Sequence, residues 1–479
     1  MLWQTVIALN VLRVYGLFSP GLDFEPTDLF SYNAQSLQSA VTGPNPALAS
    51  ETANLVADTT AANRIRRPYL ICNMGMFLEE PNTQVERLAP AQATPFFTGI
   101  VGSPSGTDYN DLAVGGGGVT SFAFNSLYVS TSGGTQTVAQ KRQWSITDIV
   151  GTSSAFFAEM LENQIAEWKQ NPAKLAETLL EYADEILKWI EQHFDVPTQL
   201  RAKAFVQHHA LASAVEDLAV LKFTFADLPS IDPAYFYWSP AHETVVADPK
   251  PTRFADGGSL ENTGINGMLA YADIDSLIAF VNSEVPMALG RYGVSDGKGG
   301  FIPDTNIVVD ECIPPLFGYQ PYESGEIDQV NKGYVLYAGA AATDYPMYAS
   351  NQVLPSADFP AFLQQIWKNS GSGSNQSPAI YAQTLQVLPN AWFGVAGGKT
   401  VTVVWSYLSA VGHWRAQFAS NPAVAAIVAL AESNMHFPHY DTVDTSLSAT
   451  NINLLAALTS WCVVSADQSS KVYSSLFTG

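Results

Sequence analysis

The distribution of apolar and polar positions divides the chain into strand-like and helix-like stretches. "RRPYLICNMGMFL" (66–78) reads as the first buried strand, opening after Pro68. From 94 to 135, closely spaced Gly, Ser, Thr and aromatic residues predict short strands and loops. "GTSSAFFAEMLENQIAEWKQ" (151–170) predicts a turn followed by an amphipathic helix. Thr152 or Ser153 is placed to cap it, and Phe156, Met160, Ile165 and Trp168 recur near helical spacing. Further helices are predicted over 173–194 and around 199–217, so residues 155–217 read as a helical insertion. "VLKFTF" (220–225) and "SLIAFVNS" (276–283) read as strands apolar on both faces, a pattern that fits parallel strands covered on both sides. "NSGSGSNQSP" (369–378) reads as a surface loop, "TVTVVWSYL" (400–408) as a late strand, and 422–433 and 451–461 as closing helices.

Strands alternating with helices predict an α/β fold with a central, mostly parallel sheet. The expected organisation is an N-terminal helical segment over 1–60 and one α/β domain over 61–479. Composition supports a large core: 47% of the 479 residues are hydrophobic and only 14% charged. The net charge of −22 argues against nucleic acid, because phosphate binding relies on clustered cations. It equally disfavours anionic bilayers, leaving apolar or zwitterionic lipid contacts. Three dispersed cysteines, Cys72, Cys312 and Cys462, make no CxxC and no disulfide framework. "MLWQTVIALNVLRVYGLF" carries Gln4, Asn10 and Arg13 through its middle and reads as an amphipathic helix. No uninterrupted apolar run reaches the roughly 18 residues of a membrane span, so a cytoplasmic protein, at most peripheral to membranes, is expected.

The chemistry concentrates in "PTRFADGGSLENTGINGML" (251–269). Asp256 follows an apolar pair and precedes Gly257 and Gly258, with Asn262 just behind. Glycines there allow a sharp turn and close backbone approach, which suits a strand-end carboxylate acting as a base. Its partner in the simplest reading is Ser153. Gly151-Thr152-Ser153-Ser154-Ala155 approximates the G-x-S-x-G elbow, whose strained turn lifts a serine at a helix N-terminus. Gly115, Gly116 and Gly117 would then offer backbone N–H groups to an oxyanion. Against this, "QWSITDIV" carries Ser145, Thr147 and Asp148 where a central strand should be apolar, and a flexible hairpin is the simpler use of the glycines. "HFPHYD" (436–441) places His436, His439 and Asp441 at ligand-like spacing, but Pro438 interrupts any helix and no HExxH accompanies it; no metal or cofactor is expected. His208 and His209 read as a surface pair, and "FYWSP" (236–240) as core or as an acyl-pocket wall.

"FADGGSLENTGI" resembles the DGG turn of the patatin, cytosolic phospholipase A2 and phospholipase B superfamily of lipid acyl hydrolases. "RPYLICN" followed by "ATPFFTGI" (93–100) is similar to that family's strand and Thr-Pro-aromatic segment, and "GTSSAFF" to a segment of fungal phospholipase B. The resemblance implies a three-layer patatin-like α/β fold and a serine–aspartate dyad phospholipase or lysophospholipase in which Asp256 is the acid. It also implies a GLSGG-type elbow N-terminal to these segments, and none stands ahead of residue 66. The family's arginine after its glycine loop has no counterpart either, since Gly118 is followed by Val119 and Thr120. Three readings follow: an enzyme using Ser153, an acid-bearing part whose nucleophile lies on a companion chain, and an inactive member with a structural, storage or interaction role.

Overall fold

The computed structural model describes residues 12, 29–31, 34–55, 69–78, 87–102, 117–132, 135–140, 144–155, 233–238, 251–290, 294–295, 301–302, 306–322, 333–338, 345–433, 437–440, 447–464 and 472. The insertion at 155–217, the strand at 220–225 and the helix at the start of the chain lie outside these residues, apart from Ala155 and Leu12.

The largest sheet is antiparallel throughout. Its strands are β1 (Cys72–Leu78), β2 (Arg87–Ala93), β3 (Phe97–Ile100) and β4 (Gly117–Thr120). A separate hairpin, β5 (Ser126–Ser132) and β6 (Thr135–Gln140), follows. After helix α1 (Ile146–Ser153), the sheet is completed by β7 (Ala234–Tyr235) and β8 (Thr252–Asp256). The order is β4-β3-β2-β1-β8-β7, every neighbour antiparallel.

This overturns the expected patatin-like layer with its mostly parallel centre. The reason lies in the connections. Parallel neighbours need a crossover of about a dozen residues or more, whereas antiparallel ones close over a tight turn. Between β2 and β3 only Thr94, Pro95 and Phe96 intervene. Thr94 Oγ1 accepts from Phe96 N at 3.2 Å and Phe97 N at 3.0 Å, while Thr94 N donates to Phe97 O at 2.9 Å. The Thr-Pro-aromatic segment is therefore a hairpin. β1 and β2 are apolar in continuous runs because both faces of this antiparallel sheet are covered, not because it is parallel.

The second sheet is mixed: β9 (Ser276–Val281), β10 (Ala379–Gln386) and β11 (Thr400–Tyr407), in the order β9-β11-β10. Its β9/β11 pair is parallel, as the apolar run at 276 suggested, and β10/β11 is antiparallel. Between β8 and β9 lies the short helix α2 (Ile265–Leu269), and α3 (Phe359–Asn369) precedes β10. α3 packs on β10 and buries Phe359, Phe362 and Ile366 in the core, where the two phenylalanine rings meet Phe317 and Phe362 also meets Trp405. The chain continues through α4 (Gly412–Ala416), α5 (Pro422–Ser433) and α6 (Ala449–Val464), the last two close to their expected bounds.

α1 precedes the helix predicted after residue 151, which lies outside the described residues, and the expected caps Thr152 and Ser153 lie in the last turn of α1. Ser145 caps it: its Oγ accepts from Asp148 N at 3.3 Å, and Ser145 N donates to Asp148 Oδ2 at 3.0 Å, a capping box. The polar residues that spoil a strand at "QWSITDIV" are a helix start. Asp148 also accepts from Tyr235 Oη at 3.1 Å, which ties the cap to the buried cluster of Phe124, Trp144, Tyr235 and Phe254. Ser145→Ala is expected to lose about 1 kcal/mol in urea unfolding, the usual worth of a cap; an unchanged midpoint would show the box contributes nothing.

Candidate functional site

Asp256 ends β8 in register with Met74 of β1 and with Asn73 just beyond the pair. The chain then turns through Gly257–Ser259, a short 3-10 segment. Asp256 Oδ1 accepts from Gly258 N at 2.8 Å, so the carboxylate caps its own turn while staying partly exposed. A Cβ on Gly257 would stand 2.5 Å from Asn73 C and 2.6 Å from Asn73 O. One on Gly258 would stand 2.8 Å from Asn262 Oδ1 and 3.1 Å from Asp256 Oδ1. The two glycines are thus close-approach glycines, and Asn262 belongs to the same turn.

Ser153 reaches the same backbone carbonyl. α1 packs on β1 and β8, and Ser153 Oγ donates to Asn73 O at 2.9 Å, the oxygen against which Gly257 rests. The elbow expected at Ser153 is absent, however. Ser153 is the last residue of α1, at a helix C-terminus, where an elbow requires the N-terminus. The oxyanion glycines fare differently again. Gly115 and Gly116 lie outside the described residues; Gly117 sits in β4 opposite Ile100, with φ of 110°, and its carbonyl accepts from Tyr237 Oη at 2.6 Å. Tyr237 of the aromatic run is therefore a structural donor beside the sheet.

Behind the turn is a buried polar network that the sequence reading did not single out. Gln92 Nε2 donates to Asn73 Oδ1 at 3.0 Å and to Gly267 O at 3.0 Å, and Gln92 Oε1 accepts from Tyr271 Oη at 3.2 Å. Glu261, 5% exposed, accepts from Thr263 N at 2.6 Å, from Thr263 Oγ1, and from Asn266 N at 3.1 Å. Burial pushes its carboxyl above the ordinary 4.5 despite these donors. Asn266 Nδ2 in turn donates to Asn351 O at 3.1 Å, and Asn351 Nδ2 to Leu260 O at 2.6 Å. The signal available in the sequence was a polar residue inside an apolar run: Asn73 in "ICNMG" and Gln92 in "APAQAT".

These groups line a crevice of about 10 Å³ whose walls include Asn73, Gln92, Gly257, Glu261 and Gly267. That is the space of roughly one water, and it takes a single oxygen atom but no acyl chain. Cys72, next to Asn73, is pushed up to about 11 by burial, so its thiol is almost wholly protonated at neutral pH and is a poor nucleophile.

The histidine motif does not assemble among the described residues. His439 turns Nδ1 to Ser283 O at 2.8 Å, and burial lowers its pKa. His436 and Asp441, like His208 and His209, lie outside the described residues, and no group of three metal-ligating side chains occurs among those described. No described helix is long and apolar enough to cross a membrane. Compared with family models, with curated proteins and with solved structures, the chain matches none.

Proposed function

We propose that the chain hydrolyses lipid acyl esters, of the phospholipase or lysophospholipase type, with Asp256 as general base and Ser153 as nucleophile. The observation that carries this reading is convergence: α1 and β8 deliver the Ser153 hydroxyl and the Asp256 turn to the same Asn73 carbonyl. Ser153 Oγ must rotate from that carbonyl to the carboxylate. Asp256 then takes its proton as Oγ bonds to the ester carbonyl carbon and the carbonyl electron pair moves to oxygen. Return of that pair breaks the ester C–O bond, and the departing alcohol takes the proton from Asp256. Water, deprotonated by the same carboxylate, cleaves the acyl-serine, releasing the fatty acid and restoring the hydroxyl.

A lipid substrate is supported by the C-terminal helices. α6 has no charged residue, and Ile427, Leu430, Ile452 and Val464 of α5 and α6 are exposed. Such a surface suits an uncharged or zwitterionic lipid aggregate, whereas the net charge of −22 opposes an anionic one.

A second reading, an inert structural or interaction protein, is favoured by one observation: Ser153 Oγ is already satisfied by Asn73 O and stands at a helix end. A fluorophosphonate probe separates the two. Covalent labelling of the purified chain at Ser153, lost in Ser153→Ala, is the expected result. A wild-type chain that takes no label rejects hydrolysis by this chain alone and leaves the inert reading or a nucleophile on a companion chain.

A further inference from the structure

We infer that the side-chain amide of Asn73, not the glycine run at 115–117, is the donor that receives the acyl carbonyl oxygen of a bound ester; this rests on the hydrolase reading above. Hydrogen-bond polarity fixes which way that amide points. Gly267 O can only accept, so the Gln92 atom facing it at 3.0 Å is the NH2 group. The same NH2 lies 3.0 Å from the Asn73 side chain, whose facing atom must be its oxygen. Tyr271 Oη, 3.2 Å from the other Gln92 atom, agrees with that assignment. What remains of Asn73 is Nδ2, a donor with no acceptor among the described residues.

The surroundings leave that donor approachable. A Cβ on Gly267 would stand 2.4 Å from Asn73 Oδ1 and 2.8 Å from Nδ2, so glycine there leaves the amide room that any side chain would fill, while the Cβ position of Gly264 is 3.8 Å from Nδ2, ordinary contact. Asn73 lines a crevice walled also by Gly257, whose neighbour is Asp256, and its room of about 10 Å³ is that of one oxygen atom. Glu261 in the same wall already accepts from Thr263 N and Asn266 N, one on each carboxylate oxygen. A carbonyl oxygen entering there accepts from Nδ2, and the bond strengthens as negative charge develops on that oxygen.

The test uses two measurements on the full chain. With asparagine labelled in 15N, the side-chain NH2 pair missing from the Asn73→Asp spectrum is that of Asn73. In Asp256→Asn protein, which lacks the proposed base, titration with 2-octanone should shift the Asn73 side-chain NH2 pair saturably and leave the other asparagine side chains in place. Asn73→Asp keeps an oxygen for Gln92 but removes the donor. In the otherwise wild-type chain it should lower kcat by about 10²-fold with little change in KM, as loss of one oxyanion donor does. A shift without turnover in the wild-type chain leaves the carbonyl site standing and rejects the hydrolase reading. Asp256-dependent turnover with no Asn73 shift, only a bound water holding the crevice, and an unaltered kcat in Asn73→Asp overturns this inference alone.

Discussion

Asp256→Asn is expected to cut ester turnover by about 10² to 10⁴-fold, the range contributed by a positioned general base. The variant is nearly isosteric, and its amide oxygen can still accept from Gly258 N, the bond that caps the turn at 2.8 Å. Stability should therefore hold while chemistry fails, because an amide cannot take up the serine proton. The loss should appear in kcat with KM little changed, since the carboxylate acts on a proton in flight and not on the bound acyl chain. Turnover of a soluble p-nitrophenyl ester, measured beside thermal melts of both proteins, checks this directly. Wild-type turnover in the variant would remove Asp256 from the mechanism and leave it a turn-capping residue.

What the sequence disclosed depended on whether local pattern or long-range pairing decided the outcome. "TVTVVWSYL" and "SLIAFVNS" were legible as strands because β-branched and aromatic runs favour a buried pleated surface whatever their neighbours. The helices predicted over 422–433 and 451–461, observed at Pro422–Ser433 and Ala449–Val464, were legible from local composition as well, through their Ala and Leu content. Sheet direction was not. A continuous apolar strand says that both faces are covered, and β1, buried on both faces from Met74 to Phe77 yet antiparallel to both neighbours, shows that this does not fix strand direction. The decisive clue was the three-residue link at Thr94–Phe96, too short for any crossover.

The site was half legible. The Asp-Gly-Gly turn announced itself, because glycine pairs after an apolar strand have few other uses, and both glycines prove to be in close contact. Ser153 was chosen from a resemblance to an elbow, while Ser145 and Asp148, three apart, carried the capping-box spacing that locates the helix start. Asn73 and Gln92 escaped notice because a single polar residue in an apolar run gives no sign of its partner. Theirs are each other, 19 positions apart, and Gly267, 175 positions from Gln92.

The close approach of Gly257 to β1 makes Gly257→Ala a severe test of how the site is held. The added methyl would stand 2.5 Å from Asn73 C, 2.6 Å from Asn73 O and 2.8 Å from Met74 N, all backbone atoms of a strand paired on both sides. No side chain can swing aside, so β8 must pull away from β1 or the turn must open. Overpacking of this kind costs about 1–3 kcal/mol, and immovable backbone places the expected loss near the upper end, about 3 kcal/mol in urea unfolding. Gly398→Ala is the contrasting case. Nothing lies within 4 Å of its Cβ position, but its φ of 78° is left-handed, so its cost of about 1–2 kcal/mol is conformational. Gly257→Ala should therefore be the more damaging of the two, and should weaken fluorophosphonate labelling of whatever folded protein remains, because Asn73 O is also the oxygen that holds Ser153. An alanine accepted at 257 without loss would mean that strand and turn do not meet, and the shared carbonyl on which the proposed dyad depends would fall with that contact.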